Sequence, residues 1–271
     1  MRLYANCKIN IGLRVKYRRE DGYHEIETVF YPVRKLYDIL DVERAESEHD
    51  LPQIDLSVSG LQIDCAVEDN LLAKTFHHMA DRYPSIGSVR VHLTKQVPFG
   101  AGLGGGSSDA AHLAMALNAL FGLGLSREQL AADVRAIGAD CPFFVYNTPC
   151  RATGIGDFLT PYDIDWSGKR LVMLKPPVSV STREAYQGIV LHNEAFDLQT
   201  NDFEQTVFAR YPLLATCKSR LLEAGAFYAA MSGSGSTVFG VFEDNAESRS
   251  LIELGLQDKE FAAMVIFNDT L

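Results

Sequence analysis

Alternating apolar and polar residues predict several strands in the first hundred residues of the chain. Residues 54–58 (Ile-Asp-Leu-Ser-Val) and 89–94 (Val-Arg-Val-His-Leu-Thr) place their apolar side chains on one side, as a half-buried strand does. Residues 26–33 are rich in β-branched and aromatic side chains, and residues 39–42 continue this pattern. Over residues 70–83, apolar side chains recur at helical spacing, so a helix is predicted between the strands.

A run of glycines lies between a predicted strand and a predicted helix. It reads Gly100-Ala-Gly-Leu-Gly-Gly-Gly-Ser-Ser108, and apolar residues follow it at helical spacing over 110–120. A further helix is predicted over 127–137, with Ser126 as its N-cap and a glycine after its end.

The second half of the chain alternates predicted strands with predicted helices. A proline and a Trp-Ser-Gly turn within residues 157–169 indicate a boundary before the next strand. The pattern predicts an α+β protein with two domains, residues 1–160 and 161–271. The elements expected after the boundary cover 170–175, 183–190, 201–210, 213–224, 227–231, 236–243, 246–256 and 262–268.

The composition is that of an ordinary globular protein, with 47% hydrophobic and 22% charged residues among 271. A formal charge of −10 argues against non-specific nucleic-acid binding, which depends on lysine and arginine. No apolar run approaches the roughly 18 to 20 residues that span a bilayer, and the N-terminus does not resemble a signal peptide. The cysteines form no Cys-x-x-Cys pair, which is typical of a reducing cytosol, so a cytoplasmic protein is expected. They stand at positions 7, 65, 141, 150 and 217.

The glycine run matches two well-known phosphate-binding patterns only in part. Gly100, Gly102 and Gly105 fit the dinucleotide fingerprint by letter, but the acidic residue expected about 20 positions later is missing. A Walker A loop is excluded because Ser107 and Ser108 stand where it requires a lysine after a glycine. Glycines ahead of a helix still offer consecutive N–H groups to an anion, and the two serine hydroxyls stand beside them. A tight turn without a ligand is the alternative.

A second cluster of glycines and serines joins two later predicted strands. It reads Met231-Ser-Gly-Ser-Gly-Ser-Thr237, which taken alone is typical of an ordinary turn. Together with the first run, it is interpreted as the other side of a phosphate site.

Three segments resemble the three motifs of the GHMP kinases, a family that includes galactokinase and the homoserine, mevalonate and phosphomevalonate kinases. Residues 5–13 look like motif 1, residues 98–111 like motif 2 and residues 231–240 like motif 3. The resemblance implies a two-domain fold, with an N-terminal ribosomal-protein-S5-domain-2-like domain and a C-terminal ferredoxin-like α/β sandwich. It also implies ATP as the phosphoryl donor. The implied ATP-binding residues are Pro98, Gly100, Ala101, Gly102, Leu103, Gly104, Gly105, Gly106, Ser107 and Ser108, with Ser232, Gly233, Ser234 and Gly235 on the other phosphate side.

Further segments resemble one branch of that family, which phosphorylates a CDP-linked methylerythritol. They are residues 21–25 (Asp-Gly-Tyr-His-Glu), 138–144 (Gly-Ala-Asp-Cys-Pro-Phe-Phe) and 201–204 (Asn-Asp-Phe-Glu). The resemblance implies transfer of phosphate from ATP to the 2-hydroxyl of the methylerythritol part, in isoprenoid precursor biosynthesis. The expected partners are these two small molecules, with no nucleic acid and no membrane, and the expected state is a monomer or a weak homodimer.

Lys8 and Asp140 are the expected catalytic pair. Asp140 follows a helix end and stands just before a proline, so from its position it is either an N-cap or a general base. Lys8 is a cation in an apolar, strand-like stretch, where it pairs with a carboxylate, faces a phosphate or extends to solvent. The resemblance implies that Asp140 is the base and that Lys8 pairs with it.

The resemblance also implies a cytidine diphosphate site. Its members combine an amide and an imidazole, which can hydrogen-bond cytosine, with rings that can stack on it, although the rings are equally compatible with the core. They are Asn10, Tyr23, His24, Phe30 and Tyr186. Mg²⁺ is expected with ATP, with Ser107 or Ser108 as a ligand and with no acidic protein ligand identified.

Three other functions stay open on the sequence alone. The first is another GHMP kinase, acting on mevalonate, homoserine or a sugar. The second is a catalytically silent relative that binds nucleotide, although such a protein has no need of both Lys8 and Asp140. The third, a dinucleotide-dependent oxidoreductase, rests only on the Gly-x-Gly-x-x-Gly letters.

Overall fold

A computed structural model of the chain describes residues 1–46, 51–62, 69–191, 194–255 and 257–271. These residues form two compact units, each assembled from separate stretches of the chain. Unit 1 contains Met1–Lys8, Leu36–Phe99 and Gly104–Thr148, and unit 2 contains Ile9–Lys35, Gly100–Leu103 and Pro149–Leu271. The glycine run is therefore divided between the two units. The domain boundary between residues 160 and 161 stays a prediction.

Two long strands stand at the start of the chain, β1 (Arg2–Arg18) and β2 (His24–Arg44), and they pair with each other. In β1 the odd-numbered residues from 5 to 15 are apolar and buried, and polar residues alternate with them on the opposite side. These polar residues are buried as well, at 5% exposure or less, and they are Asn6, Lys8, Asn10 and Arg14. Because buried polar groups need partners, this side of β1 indicates a set of specific contacts.

Unit 1 packs helices against strands of a six-stranded sheet. Its elements are β3 (Ile54–Gly60), α1 (Leu71–Arg82), β4 (Val89–Lys95), α2 (Gly105–Phe121), α3 (Arg127–Arg135) and α4 (Cys141–Tyr146). Strand β4 pairs parallel with β3 and antiparallel with the C-terminal half of β2. Helix α2 packs against α1, α3 and α4, which places the start of α2 beside the start of α4 for the site described below.

Unit 2 contains a second sheet covered by helices. Its elements are β5 (Cys150–Thr153), β6 (Phe158–Pro161), β7 (Arg170–Leu174), α5 (Thr182–Tyr186), α6 (Phe203–Arg210), α7 (Pro212–Glu223), β8 (Tyr228–Met231), β9 (Val238–Phe242), α8 (Ala246–Gly255), α9 (Lys259–Ala262) and β10 (Val265–Thr270). The four strands of the second sheet follow the order β10-β7-β9-β8, and all neighbours are antiparallel. Strand β5 pairs instead with β2 and with β6. Leu214, Cys217 and Leu221 of α7 belong to the buried core with Met231 and Phe242 of the sheet.

The α+β class predicted from the sequence is confirmed, with local differences. The two strands predicted over 26–33 and 39–42 are one strand, β2, because Arg34 and Lys35 are exposed and interrupt the apolar pattern without ending the extended backbone. Within the described residues, no helix is both long and apolar enough to cross a membrane. Cys65 lies outside the described residues, and the other four cysteines are buried free thiols.

Candidate active site

The second part of the glycine run begins helix α2 in unit 1. Gly104 is the N-cap, and its φ of 68° lies in the left-handed region that favours glycine. A Cβ atom at Gly104 would lie 3.0 Å from the ring of Phe144 and 3.1 Å from Cε of Lys8. The backbone therefore passes directly over the Lys8 side chain, at a position whose φ and close contacts favour glycine.

The first turn of α2 offers backbone N–H groups to an anion. The N–H of Ser108 donates to the carbonyl oxygen of Gly104 at 2.9 Å and closes the first helical turn. The N–H groups of Gly105, Gly106 and Ser107 precede that bond and point out of the helix end, as first-turn N–H groups do. The positive end of the helix adds to their attraction for a phosphate.

Lys8 and Asp140 lie together in unit 1. The Nζ atom of Lys8 is 3.2 Å from Oδ2 of Asp140. Lys8 is buried, whereas the side chain of Asp140 keeps 31% of its surface exposed. Asp140 stands at the N-cap position of α4, but within the described residues its side chain makes no capping hydrogen bond there. A carboxylate held by a buried cation and open to solvent on its other side is suited to accept a proton from a bound hydroxyl.

The two serines of the glycine run differ in their surroundings. Ser108 is fully buried, and its hydroxyl donates to the carbonyl oxygen of Asn6 in β1 at 2.7 Å. Ser107 is half-buried and hydrogen-bonds the thiol of Cys141, whose pKa burial raises to about 12. Ser107 is therefore the hydroxyl that a ligand can reach, while Ser108 anchors α2 to β1.

A buried cluster of charged side chains holds helix α2 through Asp109. Lys95, at the end of β4, donates to Asp109 Oδ2 at 2.9 Å and to Asp38. All three side chains are at most 4% exposed. Burial raises the pKa of Asp109, and the nearby ammonium only partly offsets that effect. Burial alone would lower the pKa of Lys95, but its two carboxylates outweigh it, and the net shift is upward.

The first part of the glycine run packs against the second glycine-serine cluster in unit 2. A Cβ atom at Gly102 would lie 2.1 Å from the carbonyl oxygen of Ser232, so only glycine fits this approach. The hydroxyl of Ser232 donates to the carbonyl oxygen of Gly102 at 2.8 Å, and the N–H of Thr237 donates to that of Ala101 at 3.2 Å. These contacts join Ala101 and Gly102 to the second cluster within unit 2, and the interpretation of the two clusters as sides of one phosphate site stays a prediction.

The remaining members of the two clusters vary in exposure. Gly100 is exposed, Pro98 is half-buried, and Leu103 is buried as an apolar anchor. In the second cluster Gly233 and Gly235 are buried and both have positive φ. Ser234 is half-buried, so its hydroxyl is the accessible one of this cluster.

Two aromatic residues of the predicted cytidine diphosphate site stack on each other in unit 2. The rings of His24 and Tyr186 are 4.5 Å apart with an interplanar angle of 15°. Burial and, to a smaller extent, the charge of Arg18 lower the pKa of His24. Tyr23 is 63% exposed beside it in the chain, whereas Phe30 is 1% exposed. His24, Tyr186 and Tyr23 therefore offer accessible ring surface, and Phe30 is a core residue of β2.

Asn10 lies against the second glycine-serine cluster. Its N–H donates to the hydroxyl of Ser232 at 3.1 Å, and its side-chain amide donates to Oγ1 of Thr28 at 3.1 Å. The expected role of Asn10 at the cytosine stays a prediction, and what the structure shows is that Asn10 anchors Ser232.

The oxygen donors near α2 fit a magnesium ion bound mainly through ATP. Within the described residues, no group of three or more His, Cys, Asp or Glu side chains is placed to hold a metal ion. Mg²⁺ in phosphate-transfer sites commonly takes one or two protein oxygens and completes its shell with water and phosphate. The half-buried hydroxyl of Ser107 is an oxygen of that kind.

Comparisons with known proteins match both halves of the chain. The model of the GHMP kinases N-terminal domain matches residues 70–148, and that of the GHMP kinases C-terminal domain matches residues 189–253. The 4-diphosphocytidyl-2-C-methyl-D-erythritol kinase of Parabacteroides distasonis is 41% identical over 254 residues, covering 89% of this chain and 91% of that protein. The protein of the same name from Bacteroides thetaiotaomicron is 42% identical with the same coverage.

Solved structures share the fold. A crystal structure of 4-(cytidine 5'-diphospho)-2C-methyl-D-erythritol kinase aligns with a TM-score of 0.79 and 31% identity, covering 100% of this chain and 98% of that one. The homoserine kinase of Cytophaga hutchinsonii aligns with a TM-score of 0.65 and 14% identity, covering 98% of this chain and 94% of that one, a likeness of fold alone. The mixed α and β, two-domain fold implied by the three motifs is thereby confirmed.

Proposed function

Because the chain belongs to the GHMP kinase family, we propose that it transfers the γ-phosphoryl group of ATP to the 2-hydroxyl of 4-diphosphocytidyl-2-C-methyl-D-erythritol. The products are the 2-phosphate and ADP, and the reaction belongs to isoprenoid precursor synthesis by the methylerythritol phosphate pathway. Relatives named for this substrate align with 89% of the chain. The structural observation that carries the proposal is the ion pair between Lys8 and the accessible carboxylate of Asp140.

Asp140 is the proposed general base. Its carboxylate accepts a hydrogen bond from the 2-hydroxyl and takes the proton as the hydroxyl oxygen bonds to the γ-phosphorus. The bond from that phosphorus to the bridging oxygen breaks, and ADP leaves with the electron pair. Lys8 orients the carboxylate, and its charge stabilises the negative oxygen that forms as the proton departs.

The first turn of α2 is the proposed phosphate cradle. The N–H groups of Gly105, Gly106 and Ser107 donate to phosphate oxygens, and the hydroxyl of Ser107 adds a further donor. Within unit 2, the second glycine-serine cluster is a further proposed phosphate contact, with Ser234 as its accessible hydroxyl. Mg²⁺ bound with ATP would neutralise phosphate charge, with the hydroxyl of Ser107 as its proposed protein ligand.

The stacked pair His24 and Tyr186 is the proposed cytosine site. Because burial lowers the pKa of His24, its imidazole is neutral near pH 7 and offers one donor and one acceptor, which match the polar edge of cytosine. The ring of Tyr186 offers a stacking face, and the exposed Tyr23 covers the base from solvent. Asn10 and Phe30 support this site from β1 and β2.

We further propose that the protein acts in the cytoplasm as a monomer or a weak homodimer. The four described cysteines are free thiols, a state that a reducing compartment maintains. Size-exclusion chromatography with light scattering measures the oligomeric state directly.

A substrate panel tests the proposed reaction. ADP release is measured with ATP and Mg²⁺ and with CDP-methylerythritol, mevalonate or homoserine as acceptor, and a reaction without acceptor gives background hydrolysis. We expect turnover with CDP-methylerythritol alone, and a new phosphomonoester signal at its 2-position by ³¹P NMR. Turnover with mevalonate or homoserine but not with the CDP-linked alcohol would overturn the acceptor assignment.

A further inference from the structure

The proposed reaction leaves one conspicuous segment without a role, residues 201–204 (Asn-Asp-Phe-Glu) in unit 2. The segment leads into helix α6 and lies largely inside the protein. Asn201, Asp202 and Phe203 are 4%, 7% and 2% exposed, and the side chain of Glu204 is 13% exposed. Polar side chains are costly to bury unless they are hydrogen-bonded, so the partners of these residues indicate what they do.

Asn201 holds the turn that carries the second glycine-serine cluster. Its side-chain amide donates to the carbonyl oxygens of Met231 at 2.7 Å and Gly233 at 2.9 Å. Its Oδ1 accepts the N–H of Phe203 at 3.0 Å. The side chain of Asn201 therefore links its own segment to Met231 and Gly233, which lie at the start of the turn.

Glu204 holds the same turn from the neighbouring position. Its Oε1 accepts the N–H of Met231 at 2.8 Å, and its Oε2 accepts from Lys218 at 2.6 Å. Burial raises the pKa of Glu204, and the ammonium of Lys218 opposes this shift. Met231 is thus fixed at both backbone groups, its N–H by Glu204 and its carbonyl by Asn201.

Asp202 fixes the segment to β1. Its carboxylate accepts from Nη1 of Arg14 at 2.9 Å and from the N–H of Val15 at 2.8 Å. Its own N–H donates to the carbonyl oxygen of Leu13 at 2.9 Å. A charge-assisted bond and two backbone bonds at one residue make this a rigid attachment.

Phe203 reaches the stacked aromatic pair. Its ring meets that of Tyr186 edge to face, at 4.9 Å and 89°, and the ring of Tyr186 also stacks on His24. Edge-to-face packing fixes the orientation of a ring and contributes beyond the burial of its area. Phe203, which packs against the proposed cytosine site, therefore lies between Asn201 and Glu204, the two residues that fix the turn.

We propose that residues 201–204 are positioning residues with two separable effects. Asn201 and Glu204 set the geometry of the turn at residues 231–235, and Phe203 sets the orientation of Tyr186. The inference rests on the proposed function, in which the turn serves phosphate binding and Tyr186 serves cytosine binding. The two effects belong to different side chains, so substitutions at Asn201 and at Phe203 separate them.

Calorimetric titration with ADP and with CDP tests the separation. Asn201→Asp keeps the acceptor for Phe203 but replaces the donating amide with a carboxylate oxygen that faces two carbonyls, so the Kd for ADP should rise about tenfold or more. The Kd for CDP should stay of the same order. Phe203→Leu keeps apolar bulk but removes the ring edge, so the Kd for CDP should rise about threefold to tenfold while that for ADP stays of the same order.

Matched controls come from the same region. Gln199→Ala alters an exposed side chain two residues before Asn201, and Phe208→Leu makes the same change within α6 at a ring that packs on the core. Both should leave the two Kd values unchanged. If Asn201→Asp does not fold, Asn201→Ser, which retains one donor, should raise the Kd for ADP by a smaller factor.

Two results would overturn the inference: both substitutions weaken ADP and CDP binding in equal proportion, or neither changes either Kd. Failure of the proposed function gives a different result, because the wild type would then bind ADP but not CDP. In that case the ADP titration of the Asn201 variants still decides whether this residue positions the turn.

Discussion

Two buried lysines lie beneath neighbouring glycines at the start of helix α2. A Cβ atom at Gly104 would lie 3.1 Å from Cε of Lys8, and one at Gly105 would lie 3.1 Å from Nζ of Lys95. The two lysines are 3% and 2% exposed. They have the same charge, the same burial and nearly the same place in unit 1, so any difference in role must come from their carboxylate partners.

The partners differ in their access to solvent. The side chain of Asp140, which pairs with Lys8, is 31% exposed, whereas Asp38 and Asp109, which pair with Lys95, are 0% and 4% exposed. A sealed carboxylate has no route for a substrate hydroxyl, and its desolvation makes it dependent on the lysine. A half-open carboxylate can contact a bound substrate, and water can hydrate it when no substrate is bound. This difference in exposure agrees with the proposed catalytic role of the Lys8 pair and with a structural role of the Lys95 cluster.

The largest expected effect separates the two pairs by activity. Asp140→Asn removes the proposed base while keeping its size, so kcat should fall about 10²- to 10⁴-fold. Asp109→Asn makes the same change in the sealed cluster and should leave kcat of the same order. ADP release at saturating substrates measures both, with circular dichroism as the check on folding. Equal losses in the two variants would erase the distinction between the pairs.

The next largest expected effect is a difference in stability between the Lys95 cluster and the Lys8 pair. Lys95→Met leaves two buried carboxylates without their cation and should lower the free energy of unfolding by about 3 to 5 kcal/mol. Lys8→Met leaves a carboxylate that water can reach, so its loss of stability should be clearly smaller, while its loss of activity should be large. Urea unfolding followed by circular dichroism gives both values. A loss for Lys8→Met as large as that for Lys95→Met would contradict the comparison.

The sequence predicted one of these lysines and missed the other. Lys8 stood out because a charge interrupts an apolar stretch and because the segment resembles a family motif. Lys95 carried a weaker signal: the alternation that buries Val91 and Leu93 also places Lys95 on the buried side of β4. A lysine at a strand end is usually solvated, so that signal is ambiguous without the carboxylates. Asp38 and Asp109 are distant in sequence, and only the fold brings them to it.

Local sequence signals predicted helices and strands better than they predicted contacts between residues distant in the sequence. The helix over 127–137 was predicted from its N-cap, and α3 begins after Ser126 with a complete capping box. By contrast, the six-residue helix α4 is too short to show an apolar period, so Asp140 was left between an N-cap and a base. Which group its carboxylate faces depends on Lys8, more than a hundred residues away. Contacts of that range are fixed by packing, which a single sequence does not display.

A smaller effect tests how closely the backbone covers Lys8. Gly104→Ala should cost about 1 to 2 kcal/mol of stability from the left-handed backbone, as should Gly124→Ala, since both glycines have a φ of 68°. Only at Gly104 does the new methyl group meet Lys8 and Phe144, while at Gly124 nothing lies within 4 Å. A fall in kcat should therefore accompany Gly104→Ala alone. An equal fall in both variants would show that strain, and not contact with Lys8, is responsible.

The smallest expected effect, counted per pH unit, is a pH dependence of stability that belongs to the sealed cluster. Burial raises the pKa of Asp109 to about 7, whereas in the unfolded chain it is near 4. Between these values the folded protein binds more protons than the unfolded chain, so the contribution of Asp109 to the free energy of unfolding falls as the pH rises. The slope is at most about 1.4 kcal/mol per pH unit.

Asp109→Asn removes this proton, so its free energy of unfolding should rise relative to the wild type between about pH 4.5 and 7 and then level off. Urea titrations of the two proteins across that range give the difference. Other groups whose pKa burial shifts, such as His112 and Glu204, are present in both proteins and cancel. Asp38 and Lys95, which face Asp109, are also retained. A difference that stays constant with pH would mean that Asp109 is ionised throughout this range.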